Sequence, residues 1–282
     1  MKNIIITGAS TGIGYATTKA CINKGYRVLG SVRKQKDADR LSTKFGSAFI
    51  PLIFDVKNEQ AIKKAADKAK EVLGGEAVHT LVNNAGIAIG GPMMHVPLSD
   101  LRRQLEVNVI GLVATTQAFL PLLGAQKDYP HTPGRIINIS SVAGKLTNPF
   151  MGPYCASKHA VEAISDALRI ELQLYGIDVV VVGPGVVKTP IWSKADDFDL
   201  SKYEQTDFAA AGARVKKFML KLSNIGFEQE DFGQMMLKII ETKQAKARYP
   251  LVHGKFKNWT LPRMIPTRTL NRIIGKKLGF LK

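Results

Sequence analysis

Short apolar runs alternate with longer amphipathic stretches from the start of the chain. Runs suited to strands fall at residues 3–7, 27–31, 49–55, 80–83, 135–140 and 178–183, and helical periodicity covers about 13–24, 36–45, 58–73, 99–122 and 153–175. Ile4-Ile5-Ile6, Ile136-Ile137-Asn138-Ile139 and Val179-Val180-Val181-Val182 are apolar almost throughout. A strand with one wet face would alternate, whereas a strand covered on both faces has no need to. Strands at this spacing, each followed by a helix, predict one α/β domain over 1–282, a doubly wound parallel sheet with helices on both faces. After Pro190 the alternation stops. Helices are expected there at about 200–222 and 228–242, with 190–226 as a lid and 243–282 as a C-terminal extension.

The turn after the first strand carries the first chemistry: Thr7-Gly8-Ala9-Ser10-Thr11-Gly12-Ile13-Gly14. Gly8 permits the tight turn, Gly12 lets the backbone approach a pyrophosphate, and Gly14 lets the helix pack on the sheet. Backbone N–H groups of Ser10, Thr11, Gly12 and Ile13 would then face the anion. Three glycines are weak evidence alone; between a first strand and an apolar helix they indicate a dinucleotide site of the Rossmann kind. The second strand leads into Val32-Arg33-Lys34, where an NAD site usually places a carboxylate for the ribose hydroxyls. A guanidinium there grips a 2′-phosphate instead, so the cofactor read from the sequence is NADP(H), held by Arg33 and Lys34. Asp55-Val56 is placed for the adenine, and Asn83, Ala85 and Gly86 close the fourth strand against the cofactor.

Tyr154 and Lys158 are four apart on a predicted helix and share a face. A free phenol titrates near 10, and bringing it to about 7 needs roughly 4 kcal/mol. An ammonium about 4 Å away at an effective dielectric near 20 supplies a term of that size. Tyr154 is therefore expected to be the general acid/base, with its pKa lowered by Lys158. Ser141 ends the fifth strand, at the carboxyl edge where open α/β sheets bind ligands, and its hydroxyl can hold a substrate oxygen as charge develops.

The turn at 7–14, Asn83-Asn84-Ala85-Gly86, Asn108, Ser141 and Tyr154-Cys155-Ala156-Ser157-Lys158 together resemble the short-chain dehydrogenase/reductase family, in register over about residues 3–192. The resemblance implies an oxidoreductase interconverting an alcohol and a carbonyl by hydride transfer. It implies that Lys158 also binds the nicotinamide ribose and that Asn108 anchors a water leading to that lysine. Pro184, Gly185, Val187 and Thr189 then correspond to the segment that meets the carboxamide. Gly183 departs from the family, in which Asn or Glu is commoner. The run around Tyr154 looks most like the retinol and hydroxysteroid dehydrogenase branch, with the 3-hydroxybutyrate branch close. Relatives associate through the helices at 99–122 and 153–175, which implies a homodimer or homotetramer.

Substrate choice is expected to rest on Ile191, Trp192, Phe198, Tyr203, Phe208, Phe218, Met219 and Leu222, with Met93 and Met94 facing them. Such walls suit a bulky hydrophobic alcohol or ketone, although the same residues could pack the core. The net charge of +17 is uneven: residues 243–282 hold eleven Lys/Arg and no Asp/Glu. That tail could lie on an anionic membrane, cover the cleft or meet a neighbouring subunit. No groove-reading motif accompanies the charge, so nucleic acid is not expected as a partner. Cys21 and Cys155 read as buried, the five histidines show no ligand spacing, and no metal is expected. A strand beginning almost at Met1, and no uninterrupted apolar run near 18 residues, point to a cytoplasmic protein with at most peripheral membrane contact. Two other readings are a non-catalytic NADP(H)-binding regulator and a sugar-nucleotide epimerase or dehydratase. The presence of both Tyr154 and Lys158 argues against the first, and the glycine spacing against the second.

Overall fold

The computed structural model describes residues 1–189 and 199–281, with the side chains of 222–224 left aside. Seven strands form one parallel sheet: β1 (Asn3–Ile6), β2 (Arg27–Val32), β3 (Phe49–Ile53), β4 (Val78–Asn83), β5 (Arg135–Ile139), β6 (Asp178–Pro184) and β7 (Arg248–Leu251), in the order β3-β2-β1-β4-β5-β6-β7. The order reverses between β1 and β4, which opens a crevice at their carboxyl ends.

The apolar runs split by parity, as a strand period of two requires. Ile4, Ile6, Val28, Val180 and Val182 point to one face, beneath α1 (Gly12–Asn23) and α8 (Gln229–Glu241), where Phe232 and Met236 are fully buried. Ile5, Leu29, Leu81 and Val179 point to the other, beneath α3 (Glu59–Leu73) and α5 (Gly111–Leu123), where Phe119 and Leu123 fill the core. Between them α2 (Gln35–Phe45) joins β2 to β3, and α6 (Gly152–Glu171) joins β5 to β6. The α1 and α8 backbones approach closely at Gly233, where a Cβ would lie 2.5 Å from the Ala16 carbonyl oxygen.

Helix α4 (Leu98–Leu105) continues through a wider π turn (Glu106–Ile110) into α5, forming one element from Leu98 to Leu123. By length and composition that element could cross a bilayer, although no apolar run in the sequence reached that length. Here its buried residues, Gln104, Asn108, Thr115 and Phe119 among them, serve the core.

The sequence reading stopped at the sixth strand; β7 is a finding of the structure. Only four residues long and half exposed, it carries no apolar signature, and Arg248 and Pro250 interrupt it. Beyond the sheet, α7 (Ala209–Asn224) and α10 (Thr267–Leu278) pack together, with α9 (Leu261–Met264) preceding α10. Ile274 and Leu278 join Ala211, Val215, Phe208 and Phe150, and Arg214 Nε donates to the Leu278 carbonyl at 2.8 Å. Part of the tail packs back on the chain: Phe150, Phe208 and Phe280 meet with ring centroids 6.1–6.2 Å apart.

Candidate active site

A cleft runs along the carboxyl edge of the sheet from Arg33 to Thr189. At one end lies the glycine turn. Gly8 and Gly12 have φ of +69° and +58°, a region that costs other residues steric strain. Gly14 is required for space rather than conformation, since a Cβ would overlap the Gly8 carbonyl oxygen. The turn is tethered from β4: Thr7 Oγ1 accepts from the Asn84 and Ala85 N–H groups at 2.9 Å, and Asn84 Nδ2 donates to the Thr7 carbonyl at 2.8 Å. From β2, Ser31 Oγ accepts from Gly8 N at 3.0 Å.

Helix α1 starts at this turn with no side-chain cap and no acidic residue in its first turn. Its N–H dipoles therefore meet the cleft unneutralised, which fits a pyrophosphate. Ser10, Thr11, Gly12 and Ile13 line the cleft beside Arg33, Asp55 and Val56, and Ala85, Gly86, Pro184, Gly185, Val187 and Thr189 continue the wall. The cavity, its cationic end and its glycine cradle all suit a phosphorylated dinucleotide.

Several expected contacts fall elsewhere. Asn83 turns inward, donating to Thr116 Oγ1 and Asn138 Oδ1 at 2.9 Å, because strand parity faces it into the core; its neighbour Asn84 lines the cleft instead. Lys34 is exposed at the head of α2 and lies outside the wall. Arg40, six residues further on in α2, donates to the Ser10 carbonyl at 2.9 Å and so braces the glycine turn. Met93 is 56% exposed and packs beside Gly152 rather than in the wall. Ile191, Trp192 and Phe198 lie outside the described residues. Met219, from α7, does reach the reactive end, packing on the cluster of Ala88, Ala143, Met151, Tyr154 and Cys155.

At the reactive end Ser141, Tyr154 and Lys158 share one stretch of wall. Ser140 lies there too, but its hydroxyl turns to the Lys158 carbonyl at 3.5 Å. Ser141 Oγ accepts from Ala143 N at 3.1 Å, in the turn that follows β5. Lys158 Nζ lies 5.7 Å from the centre of the Tyr154 ring and donates to the Ile139 carbonyl at 2.8 Å. The expected lowering of the phenol is not found. Burial pushes Tyr154 up to about 12 against its hydrogen bond with Ser141, and burial pulls Lys158 down to about 8 against the pull of Glu162. Desolvation penalises whichever form is charged, and at this depth it outweighs the attraction invoked from the sequence. Tyr154 is therefore a protonated phenol at neutral pH, suited to giving a proton away.

Asn108 sits in the π turn, 1% exposed. Its Oδ1 accepts from Ile87 N at 2.9 Å, and its Nδ2 donates to the Ile87 carbonyl and to Ser157 Oγ, each at 3.0 Å. A π turn in mid-helix is a recurrent mark of functional sites. Here it aims an amide that would ordinarily face solvent at the loop after β4 and at the helix carrying Tyr154. Sequence reasoning missed Ser31, Val107 and Arg103 in the wall, since nothing in their local pattern marks them, and it passed over Asn84 within a motif it had quoted. Among the described residues no group of His, Cys, Asp and Glu could hold a metal.

Comparison with known proteins agrees with this geometry. The short chain dehydrogenase family model matches residues 2–199. The chain is 41% identical over 278 residues (99% of this chain, 98% of the relative) to an NADPH-dependent 3-dehydrocapnine reductase of Ornithobacterium rhinotracheale. It is 35% identical over 195 residues to retinol dehydrogenase 16 of Mus musculus, covering 69% of this chain and 59% of that one. A short-chain dehydrogenase from Streptomyces avermitilis has the same fold, with a TM-score of 0.76 at 24% identity, covering 99% and 95% of the two chains. With its parallel sheet, glycine turn and Ser141–Tyr154–Lys158 constellation, the chain belongs to the short-chain dehydrogenase family of oxidoreductases.

Proposed function

We propose that the protein is an NADPH-dependent reductase that converts a ketone on a bulky hydrophobic molecule to an alcohol, with 3-dehydrocapnine or a close analogue as the substrate. One observation carries the chemistry, a Tyr154 phenol buried beside Ser141 in the same cleft as the glycine turn, and the likeness to an NADPH-dependent reductase supports the direction. In this reading Ser141 Oγ holds the carbonyl oxygen and the Tyr154 hydroxyl delivers its proton to it. Bound NADPH supplies the hydride. Lys158 holds the nicotinamide ribose and stabilises the phenolate left behind, while Asn108 fixes the loop at Ile87 and anchors the water through which the proton is replaced. Arg33 supports the choice of phosphorylated cofactor, since it stands in the wall where an NAD site would carry an acid.

The 41% relative supports the substrate, and the apolar lid over Tyr154 supports its bulk. A 3-hydroxyacid substrate is the alternative. The finer assembly belongs to the same reading: a homodimer or homotetramer through the Leu98–Leu123 element and α6, near which Ile110 in the π turn, Ile170 on α6 and Leu174 just past α6 are 47%, 69% and 80% exposed. The open face of α10, with Arg268, Arg272, Ile273 and Lys276 exposed, would rest on an anionic membrane. The test is oxidation of NADPH and of NADH with 3-dehydrocapnine, retinal, a ketosteroid, an aliphatic aldehyde and acetoacetate. Fastest turnover of 3-dehydrocapnine with NADPH is expected. Faster turnover of acetoacetate would favour the hydroxyacid alternative, and absence of any carbonyl reduction would end the enzyme assignment.

A further inference from the structure

The departure at Gly183 has a counterpart far along the chain. A Cβ on Gly183 would lie 2.5 Å from Arg248 Nη2, 3.0 Å from Cζ and 3.1 Å from Nη1, so the missing side chain is the space that the guanidinium occupies. Arg248, first residue of β7, grips Glu162 from both sides: Nε donates to Oε2 at 2.9 Å and Nη2 donates to Oε1 at 2.9 Å. Glu162 is 3% exposed and stands on α6 one turn beyond Lys158. A second glycine makes room for it, since a Cβ on Gly144 would lie 3.0 Å from Glu162 Oε1. The Trp259 ring lies under the guanidinium, 4.2 Å from ring centre to Cζ. Nη2 also donates to the Ser141 carbonyl at 3.2 Å, and that oxygen accepts from Gly144 N at 3.0 Å as well.

Stability alone is a poor reason for this arrangement. A buried ion pair gains little over apolar packing, and Arg248 Nη1 is buried with no hydrogen-bond partner among the described residues. What the pair does achieve is to pin the main chain of Ser141 to the helix that carries Tyr154 and Lys158.

We infer that Arg248 and Glu162 are positioning residues for the reaction, fixing the Ser141 hydroxyl against Tyr154 through the Ser141 carbonyl, and that Gly183 is the opening that lets them do so. Neither lines the cleft, and both act through Ser141. The inference rests on the reductase reading of the cleft. Its first readout, however, does not depend on turnover.

The experiment compares Arg248→Lys, Gly183→Ala and the double variant with the unaltered full chain. Amide hydrogen exchange at residues 141–146 is expected to quicken at least tenfold in Arg248→Lys, where one ammonium replaces a two-point grip. In NADPH-saturated assays with 3-dehydrocapnine, or whichever carbonyl the unaltered chain reduces fastest, kcat is expected to fall 10- to 100-fold. The NADPH Kd should stay within twofold. The double variant should be no worse than the poorer single one, because both changes remove the same contact. Faster exchange confined to 248–251, with 141–146 unchanged, would make the pair a clamp for β7 and overturn the inference. So would a kcat within twofold of the unaltered enzyme, or additive losses. If no carbonyl is reduced by the unaltered chain, the reductase reading fails, while the exchange result still decides whether Arg248 pins Ser141.

Discussion

The two ends of the cleft are built from different materials. At the cofactor end the work is done by main chain: two positive-φ glycines, a third that admits a helix, and the uncapped start of α1, all within residues 8–14. At the reactive end it is done by side chains delivered from β5, the π turn, α6 and β7, whose sequence separations run to 107 residues. A backbone cradle tolerates few substitutions, and its distant partners, Ser31, Arg40 and Asn84, only tether it. A side-chain constellation can be dismantled one group at a time, leaving the fold intact.

That contrast can be broken in four ways. Tyr154→Phe should remove the proton donor alone: turnover falls at least 1,000-fold while NADPH binding, read by fluorescence titration, changes less than threefold. Retention of a tenth of the activity would strip Tyr154 of its role. Gly14→Val should do the reverse, because the added carbons collide with the Gly8 carbonyl, which cannot move without opening the phosphate cradle. NADPH affinity is expected to drop about 100-fold, in line with the loss of several hydrogen bonds to a charged group. An unchanged Kd would show that the turn can give way. Arg33→Asp tests the side chain proposed for the 2′-phosphate: the ratio of kcat/KM for NADPH over NADH should fall 10- to 100-fold, and a constant ratio would remove Arg33 from the phosphate site.

The smallest effect concerns stability. The Lys158 pKa lies near 8 in the fold against 10.5 for the free side chain, so the unfolded chain binds its proton more tightly. Folding is therefore penalised at neutral pH, by on the order of 3 kcal/mol. The penalty fades as pH rises from 8 towards 10.5. Lys158→Met should be inactive yet melt a few degrees higher at pH 7, with the gain shrinking above pH 8. A lower Tm at every pH would mean that the bond to the Ile139 carbonyl outweighs desolvation.

Legibility followed the same division. Six strands and the glycine turn were evident because both-face burial and tight turns leave local marks: isoleucine and valine runs, and glycines at fixed offsets. Tyr154 and Lys158 were found because one helix carries both. The direction of the Tyr154 shift was misjudged, since burial depth is a property of the assembled sheet and outweighed a pairwise attraction. Asn83 was assigned to the wrong side for want of strand parity at its last residue. Arg248 and Glu162 were invisible: a basic residue on a four-residue edge strand and an acid on an amphipathic helix look like surface charge until the fold brings them together. Gly183 was noticed only as an anomaly, and its reason lies 65 residues further on.

The link between Ser141 and Arg248 also orders events in time. Six strands and the whole glycine turn leave the ribosome before β7 does, so a nascent chain can pair β1 with β2 and β4, and close the phosphate cradle, while its serine is still loose. Contacts of such separation form late, after the local ones have reduced the entropy of closing the loop. Competence to bind nucleotide should thus precede competence to react during synthesis. On the positioning inference, the final strand would be the last element to set the reactive end.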